Sequence, residues 1–175
     1  MKRFLRRAAL RSPQREQENG TAGEKWTIYW NEYSSNTYLY GSEISYRAKD
    51  DVEFSNELMP PGTVIKQWYS RTYYQLQRIE PALPMIDGEG EYRLRVHIDC
   101  PEGERWLIQL VFFDKYDAEA GRIAIRDQVS YFRCPLRTYS YSMQLINGGM
   151  TCFRFHFIEI QEIEHEIDEA IKETK

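Results

Sequence analysis

Alternation of apolar and polar residues with a period of two is the feature that most constrains the fold of this chain. The clearest run covers residues 92–99, where the polar side chains Arg93, Arg95, His97 and Asp99 alternate with the apolar side chains Tyr92, Leu94, Val96 and Ile98. Successive side chains of a strand point to opposite faces. This run therefore predicts a strand with one buried face and one solvated face.

Similar segments recur from about residue 26 to residue 160, separated by Gly and Pro turns at the spacing of roughly 8–12 residues that is typical of sandwiches. Aromatic residues, which favour strands, make up 14% of the chain. Further strands are predicted at 26–30, 38–40, 44–46 and 64–68. Eight or more short strands predict an all-β protein, a two-sheet β-sandwich or jelly roll.

Residues 106–113 are apolar at nearly every position, Gln109 being the exception. A continuous apolar run of this length is typical of a strand that is buried on both faces. We therefore expect this segment to be a central strand of the core.

A hairpin is predicted near the end of the strand region. Alternating segments at 137–146 and 152–158 flank Asn147-Gly148-Gly149, and an Asn-Gly pair is a strong signal for a tight turn. We expect the two segments to pair as antiparallel neighbours, with Phe153, Phe155 and Phe157 on the inner face.

The two ends of the chain differ from this middle. Residues 1–24 are rich in Arg, Gln and Glu, and are predicted to be a flexible basic extension; residues 25–175 are predicted to be a single β-sandwich domain. Near the carboxyl end, apolar residues recur at intervals of three and four: Ile160, Ile163, Ile167 and Ile171. This pattern predicts a short amphipathic helix, which either closes one end of the sandwich or docks on another protein.

Charge argues against nucleic acid as a ligand. Six basic and two acidic residues lie within the first 20 positions, whereas the rest of the chain has 17 basic and 25 acidic residues. Binding to phosphates requires a basic face, which an acidic domain does not offer. The basic extension leaves peripheral contact with an anionic membrane open as an alternative.

The three cysteines, Cys100, Cys134 and Cys152, are too few and too widely spaced for a disulfide framework. The apolar residues near the amino end are interrupted by Arg6-Arg7, so that no signal peptide is predicted, and no segment is long enough to span a membrane. We therefore expect a soluble cytoplasmic protein, with contact at the inner face of the membrane as the alternative.

No motif in the sequence predicts catalysis, a metal site or a cofactor. There is no Gly-x-Ser-x-Gly elbow and no Gly-rich phosphate loop. His165-Glu166 lacks the second histidine of a zinc-protease helix, since Glu169 stands there. The acidic residues Asp87, Glu89 and Glu91 are explained more simply by a solvated turn than by a calcium site or a glycosidase carboxylate pair.

The aromatic residues between positions 26 and 74 are the remaining candidates for a functional role. Buried aromatics build cores and subunit interfaces, whereas exposed aromatics can stack on sugar rings. The sequence favours the first explanation and leaves the second open, because it does not show which rings are exposed.

Several strings in this region together resemble a known family. They are Trp26-Thr27-Ile28-Tyr29-Trp30, Thr37-Tyr38-Leu39-Tyr40-Gly41-Ser42, Leu58-Met59-Pro60-Pro61-Gly62, Trp68-Tyr69-Ser70, Pro81-Ala82-Leu83-Pro84 and Phe113-Asp114. Over residues 26–115 the chain resembles the third accessory secretory protein of the accessory Sec system, which exports serine-rich repeat adhesins in Gram-positive bacteria. The basic extension departs from the usual start of that family.

The resemblance implies a β-sandwich similar to a carbohydrate-binding module and a scaffold role without catalysis. It implies as partners two sister accessory secretory proteins, one glycosyltransferase-like and one acetyltransferase-like, together with the accessory motor ATPase. It also implies the glycosylated serine-rich repeat precursor as a partner, and leaves open whether its glycans are bound directly. A stand-alone carbohydrate-binding module is the alternative function, and an enzyme of unrecognised type comes third. The residues expected to bind partners or glycans are Trp30, Tyr38, Tyr40, Met59, Pro60, Trp68 and Tyr69.

Overall fold

The computed structural model describes residues 21–73, 76 and 78–164. These residues form ten strands and one short 3-10 helix, Ser34–Asn36. The strands are β1 (Thr21–Ile28), β2 (Glu43–Ala48), β3 (Asp51–Ser55), β4 (Val64–Tyr69), β5 (Glu91–Asp99), β6 (Trp106–Phe113), β7 (Glu119–Ile125), β8 (Val129–Arg133), β9 (Ser140–Asn147) and β10 (Cys152–Glu164).

The strands form two antiparallel sheets. The six-stranded sheet has the order β2-β3-β10-β5-β8, and β1 pairs with the carboxyl-terminal part of β10. The four-stranded sheet has the order β4-β9-β6-β7. The predicted all-β two-sheet sandwich is confirmed, and the likeness to a carbohydrate-binding module stays a prediction.

The core lies between the inner faces of the two sheets and is rich in aromatic rings. The ring centroids of Trp68 and Phe155, which come from opposite sheets, lie 5.6 Å apart in a stacked arrangement. Trp30 packs edge-on against both rings. The predicted inner face of β5 is confirmed, because its four alternating apolar side chains are all buried.

Strand β6 lies between β9 and β7, as a central strand should. Its outer face is nevertheless only partly covered, since Leu107 and Gln109 are half-buried. The prediction of burial on both faces therefore holds on the outer face at Val111 but not at Leu107 or Gln109. An antiparallel sheet can leave one face towards water, and there Gln109 donates a hydrogen bond from Nε2 to Oε1 of Gln144 on β9 at 2.9 Å.

The predicted hairpin between residues 137–146 and 152–158 is also wrong, because β9 belongs to the four-stranded sheet and β10 to the six-stranded sheet. The Asn147 side chain accepts hydrogen bonds at Oδ1 from the backbone N–H groups of Gly149 and Met150, at 2.9 and 2.6 Å. The chain thereby crosses from one sheet to the other. Both strands face the core, and alternation alone does not distinguish strands that pair from strands that face each other.

Strand β10 contains a register shift that alternation does not predict. Phe153 and Phe155 point into the core, but the shift between Phe155 and Phe157 turns Phe157 to the outer face. There its ring centroid lies 4.2 Å from that of His97. Ile158 and Ile160 then take the inner positions.

The boundaries of the outer segments differ from the predictions. Ile160 and Ile163 belong to β10, so the predicted helix does not begin at Ile160; Ile167 and Ile171 lie outside the described residues. Strand β1 begins at Thr21, within the predicted extension 1–24, and residues 1–20 lie outside the described residues.

Residues 38–40 do not form the predicted strand. The Tyr38 N–H donates to the Ile65 carbonyl at 2.8 Å, and the chain then turns at Gly41, whose φ is 69°. A glycine adopts this left-handed conformation without steric cost. This segment is therefore a loop against the edge of β4.

Candidate partner-binding surface

Two loops meet at the end of the sandwich where β9 finishes. The first covers residues 38–42, and the second covers residues 56–62. Asn56, which is buried, joins them: its Nδ2 donates to the Tyr40 carbonyl at 2.8 Å and to Ser42 Oγ at 2.9 Å. Its Oδ1 accepts a hydrogen bond from the Leu58 N–H at 2.8 Å. One side chain therefore fixes the first loop against the second.

Asn147 holds the second loop from the other side. Its Nδ2 donates to the carbonyls of Met59 and Pro60, at 3.2 and 3.3 Å. Its backbone N–H donates to the Thr63 carbonyl, and its carbonyl accepts from the Gly62 N–H. Asn147 is buried, and a buried amide with its donors and acceptors satisfied rigidifies what it joins.

Large apolar side chains project from these fixed loops into solvent. Leu39 is 51% exposed, Tyr40 76% and Leu58 70%. Pro60, which follows Leu58 by two residues, is also exposed. We refer to Leu39, Tyr40, Leu58 and Pro60 as the loop surface. Exposed apolar side chains on a rigid base are typical of recognition sites, since little conformational entropy is lost when they bind.

An acidic groove of about 560 Å³ adjoins the loop surface. It is lined by Gly41, Glu43, Ser55, Asn56, Glu57, Leu58, Thr151 and Cys152. Glu43 and Glu57 are exposed, and neither has an ion-pair partner among the described residues. The chemistry of this end therefore favours a partner that combines apolar with basic side chains.

Lys66 anchors the segment that leads into the first loop. It is completely buried, and its Nζ donates to the Asn31 carbonyl at 2.6 Å, to Asn36 Oδ1 at 2.8 Å and to Thr37 Oγ1 at 2.7 Å, with the Tyr33 carbonyl at 3.3 Å. Burial lowers the pKa of Lys66 to about 7. The four oxygen acceptors favour the charged form and oppose that shift. We call these four acceptors the lysine cage.

The seven side chains predicted to bind partners occupy different environments. Trp30, Met59 and Trp68 are buried in the core, where a folded partner does not reach them. Tyr38 is half-buried against the core, and Tyr69 is half-buried at the opposite end of the sandwich. Tyr40 and Pro60 lie in the loop surface. A binding role for the exposed and half-buried four stays a prediction.

Sequence reasoning missed the residues that hold the loops. The sequence did contain a sign of the role of Lys66: it lies in the largely apolar strand Val64–Tyr69, and a lysine that is buried in such a strand requires hydrogen-bond partners. No feature of the sequence distinguishes Asn56 and Asn147 from the asparagines of ordinary turns.

His97 and His156 form pairs with carboxylates. Nε2 of His97 lies 3.4 Å from Glu159, and Nε2 of His156 lies 2.8 Å from Asp99. The hydrogen bond to Asp99 raises the pKa of His156. Within the described part of the chain, no group of three or more His, Cys, Asp or Glu side chains is arranged to hold a metal ion. Nor does that part contain a helix long and apolar enough to cross a membrane.

Comparison with known proteins decides the family. The sequence model of the family described as accessory Sec secretory system ASP3 matches residues 37–162, a range that includes both loops. The chain belongs to the ASP3 family. It is 34% identical over 145 residues to the ASP3 protein of the Streptococcus gordonii accessory Sec system, an alignment that covers 78% of this chain and 91% of the relative.

Two solved structures are similar to this ASP3-family chain. One is described as accessory secretory protein 1, 2 and 3 in Streptococcus pneumoniae; a chain in it matches with a TM-score of 0.74 and 30% identity, over 79% of this chain and 96% of that chain. The other is described as the Glycosylation Associate Protein (Gap123) complex from Streptococcus agalactiae. There the TM-score is 0.75 and the identity 28%, over 84% of this chain and 49% of that chain, so this chain spans about half its length.

Proposed function

We propose that this chain is a non-catalytic scaffold subunit of the accessory Sec system that binds two sister accessory secretory proteins. Family membership supports the system. The two similar structures support the partners, since one is described as the Gap123 complex and the other as accessory secretory protein 1, 2 and 3. Following the resemblance, one sister would be glycosyltransferase-like and the other acetyltransferase-like.

The observation that carries the proposal is the loop surface. Its apolar side chains are exposed, while the backbone beneath them is held by the buried amides of Asn56 and Asn147. A surface that is already ordered before it binds loses little entropy in the complex. Tyrosine and leucine side chains projecting from it can then fill pockets of a partner. The mechanism is recognition, and no bond is made or broken.

The scaffold would act during export of a glycosylated serine-rich repeat adhesin, together with the accessory motor ATPase. Many shallow contacts with a repetitive precursor would raise its avidity without any deep pocket. The proposed location is the cytoplasm, and the basic residues before Thr21 would supply contact with anionic lipid at the inner face of the membrane.

Co-expression with the two sister proteins tests the proposal. We expect a stable ternary species when the mass of the eluting complex is measured by size-exclusion chromatography with light scattering. The double variant Tyr40→Ala, Leu58→Ala should lose at least one partner while remaining folded, because both side chains are exposed.

A well-folded wild-type monomer that elutes apart from both sister proteins would refute the scaffold proposal. The alternative, a stand-alone carbohydrate-binding module, would then be tested directly. Binding of the monomer to a peptide that bears N-acetylglucosamine would favour the module.

A further inference from the structure

A second exposed aromatic surface lies at the opposite end of β9. Arg71 follows β4, and its guanidinium carbon lies 5.3 Å from the ring centroid of Tyr73 and 5.0 Å from that of Tyr139. The two rings are about half exposed, at 50% and 49%, and Arg71 is exposed between them. Contact with two tyrosine faces orients the guanidinium while leaving its edge in solvent.

The backbone around Arg71 is fixed. The neighbouring Ser70 is buried; its N–H donates to the Tyr141 carbonyl at 2.9 Å, and its Oγ accepts from the Tyr141 N–H at 2.8 Å. The Tyr139 N–H donates to the Phe113 carbonyl at 2.7 Å. The arginine and one of its two rings are thus attached to the ends of core strands.

Within the described part of the chain, Arg71 contacts the two tyrosine rings and has no carboxylate or hydrogen-bond partner. An arginine offers five N–H donors in a planar fork that matches a carboxylate. Further exposed apolar side chains lie in the adjoining loops: Tyr116 after β6 and Leu136 before β9. We define Arg71, Tyr73, Tyr116, Leu136 and Tyr139 as the arginine surface.

The two surfaces differ in charge and are far apart. Strand β9 has eight residues, which at about 3.3 Å per residue places the loop surface and the arginine surface about 23 Å apart. Glu43 and Glu57 adjoin the loop surface, whereas the unpaired guanidinium of Arg71 stands at the centre of the arginine surface. The carboxylate of Asp117 lies beside one of its rings, where Oδ2 accepts a hydrogen bond from the Tyr73 hydroxyl at 3.4 Å. One partner surface does not suit both ends, because like charges across an interface are repulsive.

We propose that the arginine surface is a second protein-binding site, which receives an Asp or Glu side chain flanked by apolar residues on one sister protein while the loop surface binds the other. This inference rests on the proposed scaffold function and adds where and by what chemistry the second partner binds. Arginine and tyrosine are enriched among the residues that dominate binding energy at interfaces, and a carboxylate held by both prongs of a stacked guanidinium supplies such a centre. The chain would then join its two partners end to end.

The test measures the dissociation constant of each sister protein separately on the immobilised full chain, by biolayer interferometry. We expect Arg71→Gln to weaken one partner at least about tenfold and to leave the other unchanged. Arg71→Lys should weaken the same partner, because an ammonium keeps the charge but does not form the bidentate pair. The control is Arg137→Gln, an exposed arginine in the loop before β9 with no ring contact among the described residues, which should bind both partners normally.

The possible outcomes separate the two proposals. If the wild-type chain binds both sister proteins but Arg71→Gln binds them with wild-type affinity, the second site is refuted and the scaffold stands. The same conclusion follows if Arg71→Gln and Tyr40→Ala weaken the same partner. If the wild-type chain binds neither sister protein, the scaffold proposal fails and the second site fails with it.

Discussion

The loop surface and the arginine surface expose similar side chains but are held in different ways. Beneath the loop surface, buried polar groups hold the backbone in place: the side chains of Asn56, Asn147 and Lys66 together make eleven hydrogen bonds to backbone atoms or to neighbouring side chains, at distances up to 3.3 Å. At the arginine surface, an exposed guanidinium rests on exposed rings. Substitution of the buried groups beneath the loop surface should therefore reduce stability as well as binding, whereas substitution of the exposed side chains of either surface should reduce binding alone.

The largest expected effect is that of Lys66→Met. The substitution leaves the acceptors of the lysine cage without their donor, and buried unsatisfied groups of this kind should lower the free energy of unfolding by about 3 kcal/mol. Urea unfolding measures it. Lys49→Met is the matched control. Lys49 is exposed, and its Nζ lies 4.2 Å from the ring centroid of Tyr29, much as Lys66 Nζ lies 5.2 Å from that of Trp30. An equal loss in both variants would show that the cage adds nothing.

A pH titration sharpens the role of Lys66. Burial lowers its pKa to about 7 in the folded chain, against 10.5 in the unfolded chain. Between these values the unfolded chain binds the extra proton, so the free energy of unfolding should rise with pH from about 7 upwards. Lys66→Met should lack this rise. Parallel pH curves for the two chains would mean that the four acceptors keep the ammonium charged throughout.

The next effect compares the two surfaces directly. Asn56→Ala removes the donor to the Tyr40 carbonyl and the acceptor for the Leu58 N–H, which should cost about 2 kcal/mol of stability. Arg71→Gln should change stability by less than about 0.5 kcal/mol, because Arg71 is exposed. Thermal unfolding of the two variants beside wild type measures both values. A larger loss in Arg71→Gln would reverse the comparison.

The smallest effect is on binding. Tyr40→Ala should weaken one sister protein by about tenfold, which corresponds to about 1.4 kcal/mol, with an unchanged unfolding midpoint. Tyr131→Ala is the control, because Tyr131 is similarly exposed, at 66%, but lies on β8 away from both surfaces. Biolayer interferometry measures the dissociation constant of each sister protein for the two variants. If Tyr40→Ala and Tyr131→Ala bound each sister protein with equal affinity, Tyr40 would not contribute to the interface.

The strands were largely predictable, but their partners were not. Residues 92–99 form β5 with the predicted inner face, because alternation is a property of one strand and its two faces. The same alternation placed β9 and β10 side by side, whereas they lie in opposite sheets. The register shift near Phe157 and the strand character of Ile160 also depend on neighbours distant in sequence, namely β5 and β1.

The candidate site was less predictable than the fold. The sequence segments that resemble the family include residues 38–42 and 58–62, whose exposed side chains form the loop surface. They did not separate the buried rings of Trp30 and Trp68 from the exposed ring of Tyr40, because an aromatic residue serves equally well in a core or at an interface.

The sequence by itself determined that the chain builds an aromatic β-sandwich and belongs to the ASP3 family, since both follow from local patterns of residues. Only the tertiary structure decided which sheet each strand joins, which aromatic rings reach solvent, and how the loops are held. The contacts responsible link residues far apart in the chain: Asn56 with Tyr40, Lys66 with Asn31, and Arg71 with Tyr139. Such contacts form only when the sheets pack, and no local pattern encodes them.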